Sequence, residues 1–404
     1  MSTLIKKFLA TLVLSILSLA CVHAQFTSGN LVVERIGNGS TTLSSSAAAI
    51  SVIEYSPNGG AAVQTINIPT SGANQRMTDS GSATSDGFLN YNAGVLAIPG
   101  YDAAVDTAGV ASASGINRVI GTIGGNGAYN GTVVVSGSVS GNTAFKTNNL
   151  RSVISPDGIN YYASGNGSSS TGGIWYVTGS GSATQISNTQ TNTRNLEIIG
   201  GNLYFSNGAG TGTHGIFQVG SGLPTGGSNT ATALITLSNS ASPYGFSILD
   251  TNNDGTLDRL YYADDGGSSS AFAGLYRYDY SGGSWNLDGQ LKLSSSNTSI
   301  LTSGNSVTLF GLAATTDGNG SATLFLTDSG SQNNRLLSLT DNTTFGNLSS
   351  LTSFSVLENA GTNNVFRGVD IAVVPEPTTW AILLSGAGLL GVWRRARRLR
   401  GWFR

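Results

Sequence analysis

Apolar and polar positions alternate in short bursts along most of the chain, with almost no helical periodicity between Gln25 and Val373. Runs such as Leu31-Val32-Val33-Glu34-Arg35-Ile36, Ile53-Glu54-Tyr55, Val133-Val134-Val135 and Leu234-Ile235-Thr236-Leu237 are rich in β-branched or aromatic residues. These residue types suit a pleated, half-buried surface. Asn58-Gly59, Asp157-Gly158, Asn207-Gly208 and Asp254-Gly255 punctuate the runs. Gly and Asn accept positive φ, so such pairs make tight turns. The pattern predicts an all-β body.

The runs recur as a larger unit. Asn160–Gly165 leads to Gly173–Val177, Asn202–Gly208 to Gly215–Val219, Arg259–Asp264 to Gly274–Tyr278, and Thr323–Asp328 to Arg335–Leu339. A strand precedes each pair (150–154, 195–199, 245–249, 309–313), and a fourth closes most units, as in 231–237 and 289–293. Four strands per unit, repeating every 40 to 65 residues or so, is the pattern of β-propeller blades. The spacing predicts about six four-stranded blades. Five are continuous, at roughly 76–138, 142–188, 190–238, 241–294 and 300–358. The sixth pairs Phe366–Ile371 with three strands from residues 30–69, closing the ring with both ends of the body and leaving no free edge. A β-solenoid or a pair of β-sandwiches is the alternative. Uneven unit length argues against a regular solenoid.

The two ends read differently. Met1–Ala24 carries Lys6 and Lys7, an apolar run from Phe8 to Ala20, and the small-residue pattern Val22-His23-Ala24. This predicts a secretory signal peptide cut after Ala24 by signal peptidase. Cys21 is the only cysteine, and Ser18-Leu19-Ala20 before it is a poor lipoprotein match. The body therefore folds without disulfides. At the other end, Thr378–Trp393 holds no charge. As a helix it would span about 24 Å, short of a bilayer core of about 30 Å. Trp380 and Trp393 flank it, and Arg394, Arg395, Arg397, Arg398, Arg400 and Arg404 follow. The positive-inside rule keeps that end cytoplasmic and the body outside.

Val374-Pro375-Glu376-Pro377, one short transmembrane segment and an arginine-rich end together resemble the PEP-CTERM sorting signal. The resemblance implies recognition by an exosortase, a membrane-embedded cysteine transpeptidase, with cleavage near the Pro-Glu-Pro. The protein would be held transiently at the inner membrane, then released or attached at the cell surface or in the extracellular matrix. The domains expected are thus a signal peptide (1–24), an extracellular body (25–373) and a sorting signal (374–404). Within the last, 374–377 is the motif, 378–393 the helix and 394–404 the cytoplasmic tail.

Charged residues make up only 10% of the chain, and 56 of its 404 residues are glycine. The net charge of −2 hides an asymmetry. Eight of the nineteen Lys and Arg lie in the two terminal segments, which leaves the body near −10. A body that acidic excludes nucleic acid as a partner, since phosphate binding needs clustered Lys and Arg.

One internal motif stands out. Asp250-Thr251-Asn252-Asn253-Asp254-Gly255-Thr256-Leu257-Asp258 puts oxygen side chains at positions 1, 3, 5 and 9. Glycine stands at 6, and the Thr256 carbonyl is available at 7. Calcium takes six to eight oxygens from a tightly curved loop. The stretch resembles the calcium loops of integrin-type propeller repeats, which implies a structural Ca2+ held by Asp250, Asn252, Asp254, Thr256 and Asp258. An Asx-rich turn without metal is the other reading. Tyr261 at position 12 excludes an EF-hand. His214 is the only histidine after residue 24, too few for a zinc site in a body without cysteine. It reads as a surface-loop residue. Asp264-Asp265 are strand neighbours that face opposite ways. Tyr276, Tyr278 and Tyr280 share one strand face by their spacing and suit either core packing or a platform for sugar rings.

The sequence therefore predicts an exported, exosortase-processed protein. It is expected to act as a non-catalytic structural or binding module among extracellular polysaccharide. The alternative is a secreted polysaccharide-active enzyme, a glycoside hydrolase or lyase, on the same fold.

Overall fold

A computed structural model describes residues 25–208, 213–267 and 269–374. The expected signal peptide and transmembrane helix lie outside the described residues. Among those described there is no α-helix, and no helix long and apolar enough to cross a membrane. The body is all-β with a propeller-like arrangement, as its alternation predicts.

The first strands are β1 (Leu31–Gly37), β2 (Ala47–Tyr55), β3 (Gln64–Asn67), β4 (Thr78–Ser80), β5 (Asn90–Asn92), β6 (Val95–Tyr101), β7 (Arg118–Gly124) and β8 (Tyr129–Val134). A short ribbon follows, β9 (Ser138–Val139) with β10 (Asn142–Thr143). Four separate antiparallel sheets come next, each a meander in chain order. The first holds β11 (Leu150–Ile154), β12 (Tyr161–Gly165), β13 (Gly173–Val177) and β14 (Ala183–Ser187). The second holds β15 (Thr193–Ile199), β16 (Asn202–Asn207), β17 (Gly215–Val219) and β18 (Ala231–Thr236). The third holds β19 (Pro243–Leu249), β20 (Arg259–Asp264), β21 (Gly274–Ser281), β22 (Ser284–Leu293) and β23 (Ile300–Leu301). The fourth holds β24 (Leu309–Thr316), β25 (Ala322–Asp328), β26 (Arg335–Asp341) and β27 (Ser355–Asn359). These four sheets are the blades. The last strand, β28 (Asn364–Ile371), returns to pair with β1, as the sequence predicts, with Leu31 opposite Ile371.

β28, β1, β2 and β3 share one nine-stranded sheet with β4 to β8. The join is the first half of β2, where Ala47–Ala49 pairs with Thr78–Ser80 after the second half has paired with β3. The first strands of the four blades pack side by side. β15 touches β11 and β19, and β24 touches β19 and β28. β5 lies against β28 and β11.

Five of these strands carry a bulge at the same level. Extra residues at Arg151, Arg194-Asn195, Tyr244-Gly245, Phe310-Gly311 and Arg367-Gly368 break the register with the next strand. A bulge re-aims a side chain and sharpens the local twist. Here the re-aimed side chains fill the centre. Phe88, Tyr244 and Phe310 form a small buried cluster. The Arg194 guanidinium lies 3.8 Å above the Tyr244 ring. The bulge carbonyls also bind the blades together. Ser164 donates to the Arg194 carbonyl (2.5 Å), Ser206 to Tyr244 (2.6 Å) and Thr327 to Arg367 (2.5 Å). In each case a second-strand hydroxyl reaches the first strand of the following sheet.

Between the sheets lie cores of aliphatic and aromatic side chains. Trp175, Tyr162, Phe205 and Tyr261 are fully buried. With no disulfide in the body, this burial carries the fold at about 25 cal/mol per Å² of apolar surface.

Candidate functional site

At the ends of the central strands lies a cavity of about 210 Å³. β5, β11, β15, β19, β24 and β28 all line it, through residues that include Asn92, Ile154, Glu197, Ser247, Thr315 and Asp370. Its described lining holds no Lys, Arg or His. Burial pushes the Glu197 carboxyl well above the usual carboxylate range, and the neighbouring Asp370 charge pushes it further. Burial likewise raises Asp370 to about 7, against the pull of the Tyr91 and Ile371 N–H groups. The Tyr91 N–H donates to Asp370 Oδ2 at 2.6 Å. Glu197 is held from behind. Asn90 Nδ2 donates to Ser152 Oγ (2.9 Å), Ser152 Oγ to Asn195 Oδ1 (3.2 Å), and Asn195 Nδ2 to Glu197 Oε1 (3.2 Å). The result is a polar cup with two acids that resist ionising together. Sequence reasoning missed this pair. Glu197 and Asp370 stand 173 positions apart, and only the fold brings them together. Their one sequence signal is a lone acid within each apolar first strand.

The expected calcium loop joins β19 to β20. Asp250 accepts from the Asp254 N–H (3.2 Å) and the Gly255 N–H (2.8 Å). Asn252 Oδ1 accepts from the Asp254 N–H, and Asp254 Oδ1 from the Thr256 N–H. Asn253 and Gly255 take φ values of +58° and +88°, which curl the loop. These bonds, with Asn252 Nδ2 donating to Asp254 Oδ2 at 3.1 Å, close the loop on itself through its own side chains. Asp258 does not join them. Both its oxygens accept from the Thr251 hydroxyl, at 2.8 and 3.0 Å. Among the described residues no three His, Cys, Asp or Glu form a metal-holding group.

Three other expectations find their places. His214 is buried, with Nδ1 on the Ala241 carbonyl, and is not the surface residue expected of a glycine-rich turn. Its role is to tie two turns together. Asp264 is fully buried and accepts the N–H groups of Ser242 and Gly266. Tyr262 and Tyr276 stack with centroids 4.7 Å apart inside a core cluster. That ladder continues outward to Tyr280 and Trp285, at 5.3 Å, where Tyr280 is 40% exposed. Core packing holds for Tyr262 and Tyr276, while Tyr278 and Trp285 are half-buried and Tyr280 is exposed.

Of the sorting signal, Val374 alone is described, and it is buried in the core of the nine-stranded sheet. Pro375, Glu376, Pro377 and the arginines lie outside the described residues. Val373 lines the cavity, so the last described residues lie beside it.

The fold defines a β-propeller-like body. The chain carries a PEP-CTERM protein-sorting motif over residues 373–398. Such signals mark exported proteins processed by an exosortase. No curated protein matches the chain. Among solved structures, the chain is similar to a hypothetical selenium-binding protein from Sulfolobus tokodaii. Identity is 10% over 86% of this chain and 94% of that one, with a TM-score of 0.44. It is also similar to AztD from Citrobacter koseri, at 10% identity over 85% and 97% of the two chains, with a TM-score of 0.33.

Proposed function

We propose that this is a cell-surface or extracellular-matrix protein whose body is a non-catalytic binding module held among extracellular polysaccharide. The observation that carries the reading is the PEP-CTERM motif that follows the body in the chain. The body counts as six blades in this reading. β28-β1-β2-β3 and β5-β6-β7-β8 are two blades joined by the bent β2, and all six inner strands line one cavity. That cavity, with its two acids, amides and hydroxyls, offers hydrogen bonds to a polyhydroxylated chain end. A structural calcium ion at Asp250, Asn252 and Asp254 stiffens the neighbouring hairpin. Exosortase and signal peptidase are the processing partners, with a transient stay in the inner membrane.

A second reading has a specific observation behind it. Paired carboxyls in one cavity, both pushed up by burial, are the residue types that glycoside cleavage uses. Glu197 and Asp370 would then be acid and base.

One experiment separates the two readings. Residues 25–374 are sedimented with the producing cell's own polysaccharide, with and without a calcium chelator, while released sugar is assayed. Binding without release is expected, and weaker binding with chelator places calcium in the module. Sugar release that disappears in Glu197→Gln or Asp370→Asn replaces the module by the enzyme. Absence of both binding and release overturns the polysaccharide reading and leaves the sorting signal standing.

A further inference from the structure

The hydroxyl that ties one sheet to the next recurs at one position of the second strand: Ser164, Ser206 and Thr327. Ala263 holds that position on β20 and donates nothing. In the pair that closes the chain, β28 with β1, the position belongs to Glu34. It stands opposite the Arg367-Gly368 bulge as Thr327 stands opposite Phe310-Gly311. The acceptor is also in place. Gly311 lies against the Arg367 carbonyl, and Gly368 lies in the same way against the Gly87 carbonyl. Glu34 Oε2 lies close by, 2.7 Å from where a Cβ on Gly87 would stand, and the Gly87 carbonyl, which accepts the Gly368 N–H at 2.9 Å, keeps a second lone pair for another donor.

An ionised carboxylate only accepts, so it cannot do what the serines and threonine do. Glu34 is wholly buried, and neither of its oxygens has a donor. Its surroundings offer little compensation. Asp79 on β4 and Asp86 in the following loop are buried acids within electrostatic reach. Arg367 on β28 is the nearby cation, but no ion pair of the described residues joins it to any of the three carboxyls. Its one hydrogen bond is to the Gly81 carbonyl, at 3.3 Å, and its Nε has no partner. Asp86 is occupied by the Tyr101 hydroxyl of β6 and by Asn149. Arg151 of β11 acts on Asp86 from the far side, Arg118 of β7 lies over the Tyr101 ring, and Tyr244 of β19 acts on Arg367. Unpaired buried charge of this kind is neutralised by taking up a proton.

We propose that Glu34 is a protonated carboxylic acid at neutral pH, donating to the Gly87 carbonyl. It thereby acts as a proton-dependent latch on the strand pair that joins the two ends of the chain. Burial pushes its carboxyl up to about 8 from an ordinary 4.5, against the pull of the Arg367 charge and with a smaller push from Asp86. A carboxyl whose value is raised by folding binds its proton more tightly in the folded state. The latch is therefore complete below about 4.5, weakens through the neutral range and is lost as pH rises through about 8. An exported protein meets the pH of its surroundings directly, so the seam would loosen in alkaline conditions while the four blades stay closed.

The test is hydrogen exchange on the full chain between pH 5.5 and 9.5, corrected for the intrinsic base catalysis. Amides of β1 and β28 are compared with those of β16. The seam's opening constant is expected to rise up to about tenfold per pH unit, the limit for one proton lost on opening. β16 should stay flat. Glu34→Gln, neutral at every pH and still a donor, should flatten the seam as well. A seam as flat as β16 in the unaltered protein overturns the latch, as does an unchanged slope in Glu34→Gln. A slope that vanishes only when calcium is added shows a cation, not a proton, between the carboxyls, and also overturns it. If Glu34→Gln does not fold, the slope is read in Asp370→Asn, which removes the other raised carboxyl of this strand pair: a slope that survives there supports the latch, and one that vanishes overturns it.

Discussion

Arg277 shows what a single side chain carries here. It is wholly buried and meets Asp279 at 2.7 Å, Asp288 at 2.8 Å and Asp341 at 2.8 Å. Asp341 also accepts the Tyr261 hydroxyl, so two blades meet at this cluster. Removing the guanidinium strands buried carboxylates, a loss usually of about 3–5 kcal/mol. Arg277→Ala should therefore lower the urea midpoint steeply. Arg76, paired with Asp102 at 2.7 Å but about one-third exposed, should cost under about 1 kcal/mol as Arg76→Ala in the same assay. Equal losses would mean that burial does not set the value of these pairs. The contrast also shows which site residues a sequence can reveal. The Asp250 loop was legible because its donors are near neighbours. The Arg277 cluster and the Glu197–Asp370 pair were not, since nothing local marks residues that only the closed fold brings together.

At the scale of elements, most strands announce themselves through alternation and turn pairs. β12, β13, β16, β17, β20, β21, β25 and β26 stand where those signals put them. The misses have physical causes. The Ala47–Ala49 half of β2 lacks β-branched residues, and only its pairing with β4 makes it a strand. β4 and β5 span three residues each, too short to alternate. β22 starts at Ser284, five residues before its expected start, because Tyr280 pairs with Trp285 across an extended hairpin. The bulges left a fainter mark, a bulky residue followed by glycine at Tyr244-Gly245, Phe310-Gly311 and Arg367-Gly368. The glycine is needed for close approach. A Cβ on Gly311 would meet the Arg367 carbonyl and the Thr327 hydroxyl, both at 2.7 Å. Gly311→Ala should therefore destabilise by about 1–3 kcal/mol, as overpacking does. Gly304→Ala makes a poor control, since its φ of +88° is itself unfavourable for alanine. Gly115→Ala, with open space and no such φ, should change the thermal midpoint little. A Gly311→Ala protein as stable as Gly115→Ala would show that the blades can move apart at no cost.

For the whole molecule, the decisive feature is that the last described strand is a central one. β28 pairs with β1, packs on β24 and supplies Arg367, Gly368 and Asp370 to the centre. The sorting motif begins only two residues after β28 ends, at 373. A protein cut near its Pro-Glu-Pro must therefore keep β28 intact, and the described structure ends with Val374 still in the core. Such a cut leaves every described strand in place. The sharpest form of this statement compares two truncations. A chain ending at Val374 should unfold within about 0.5 kcal/mol of the full-length body, the range of changes away from packed features. A chain ending at Ala360 loses β28, exposes the edge of β1 and strips one wall from the cavity. Unpaired strand edges of this kind invite association with other chains. It should lose its cooperative melt and aggregate, or be degraded in limited proteolysis at concentrations that spare the longer form. A cooperative melt from the shorter chain would show that the strand pair joining the ends is ornamental. Loss of stability in the longer one would place part of the sorting segment inside the folded body, where cleavage would cost the protein its structure.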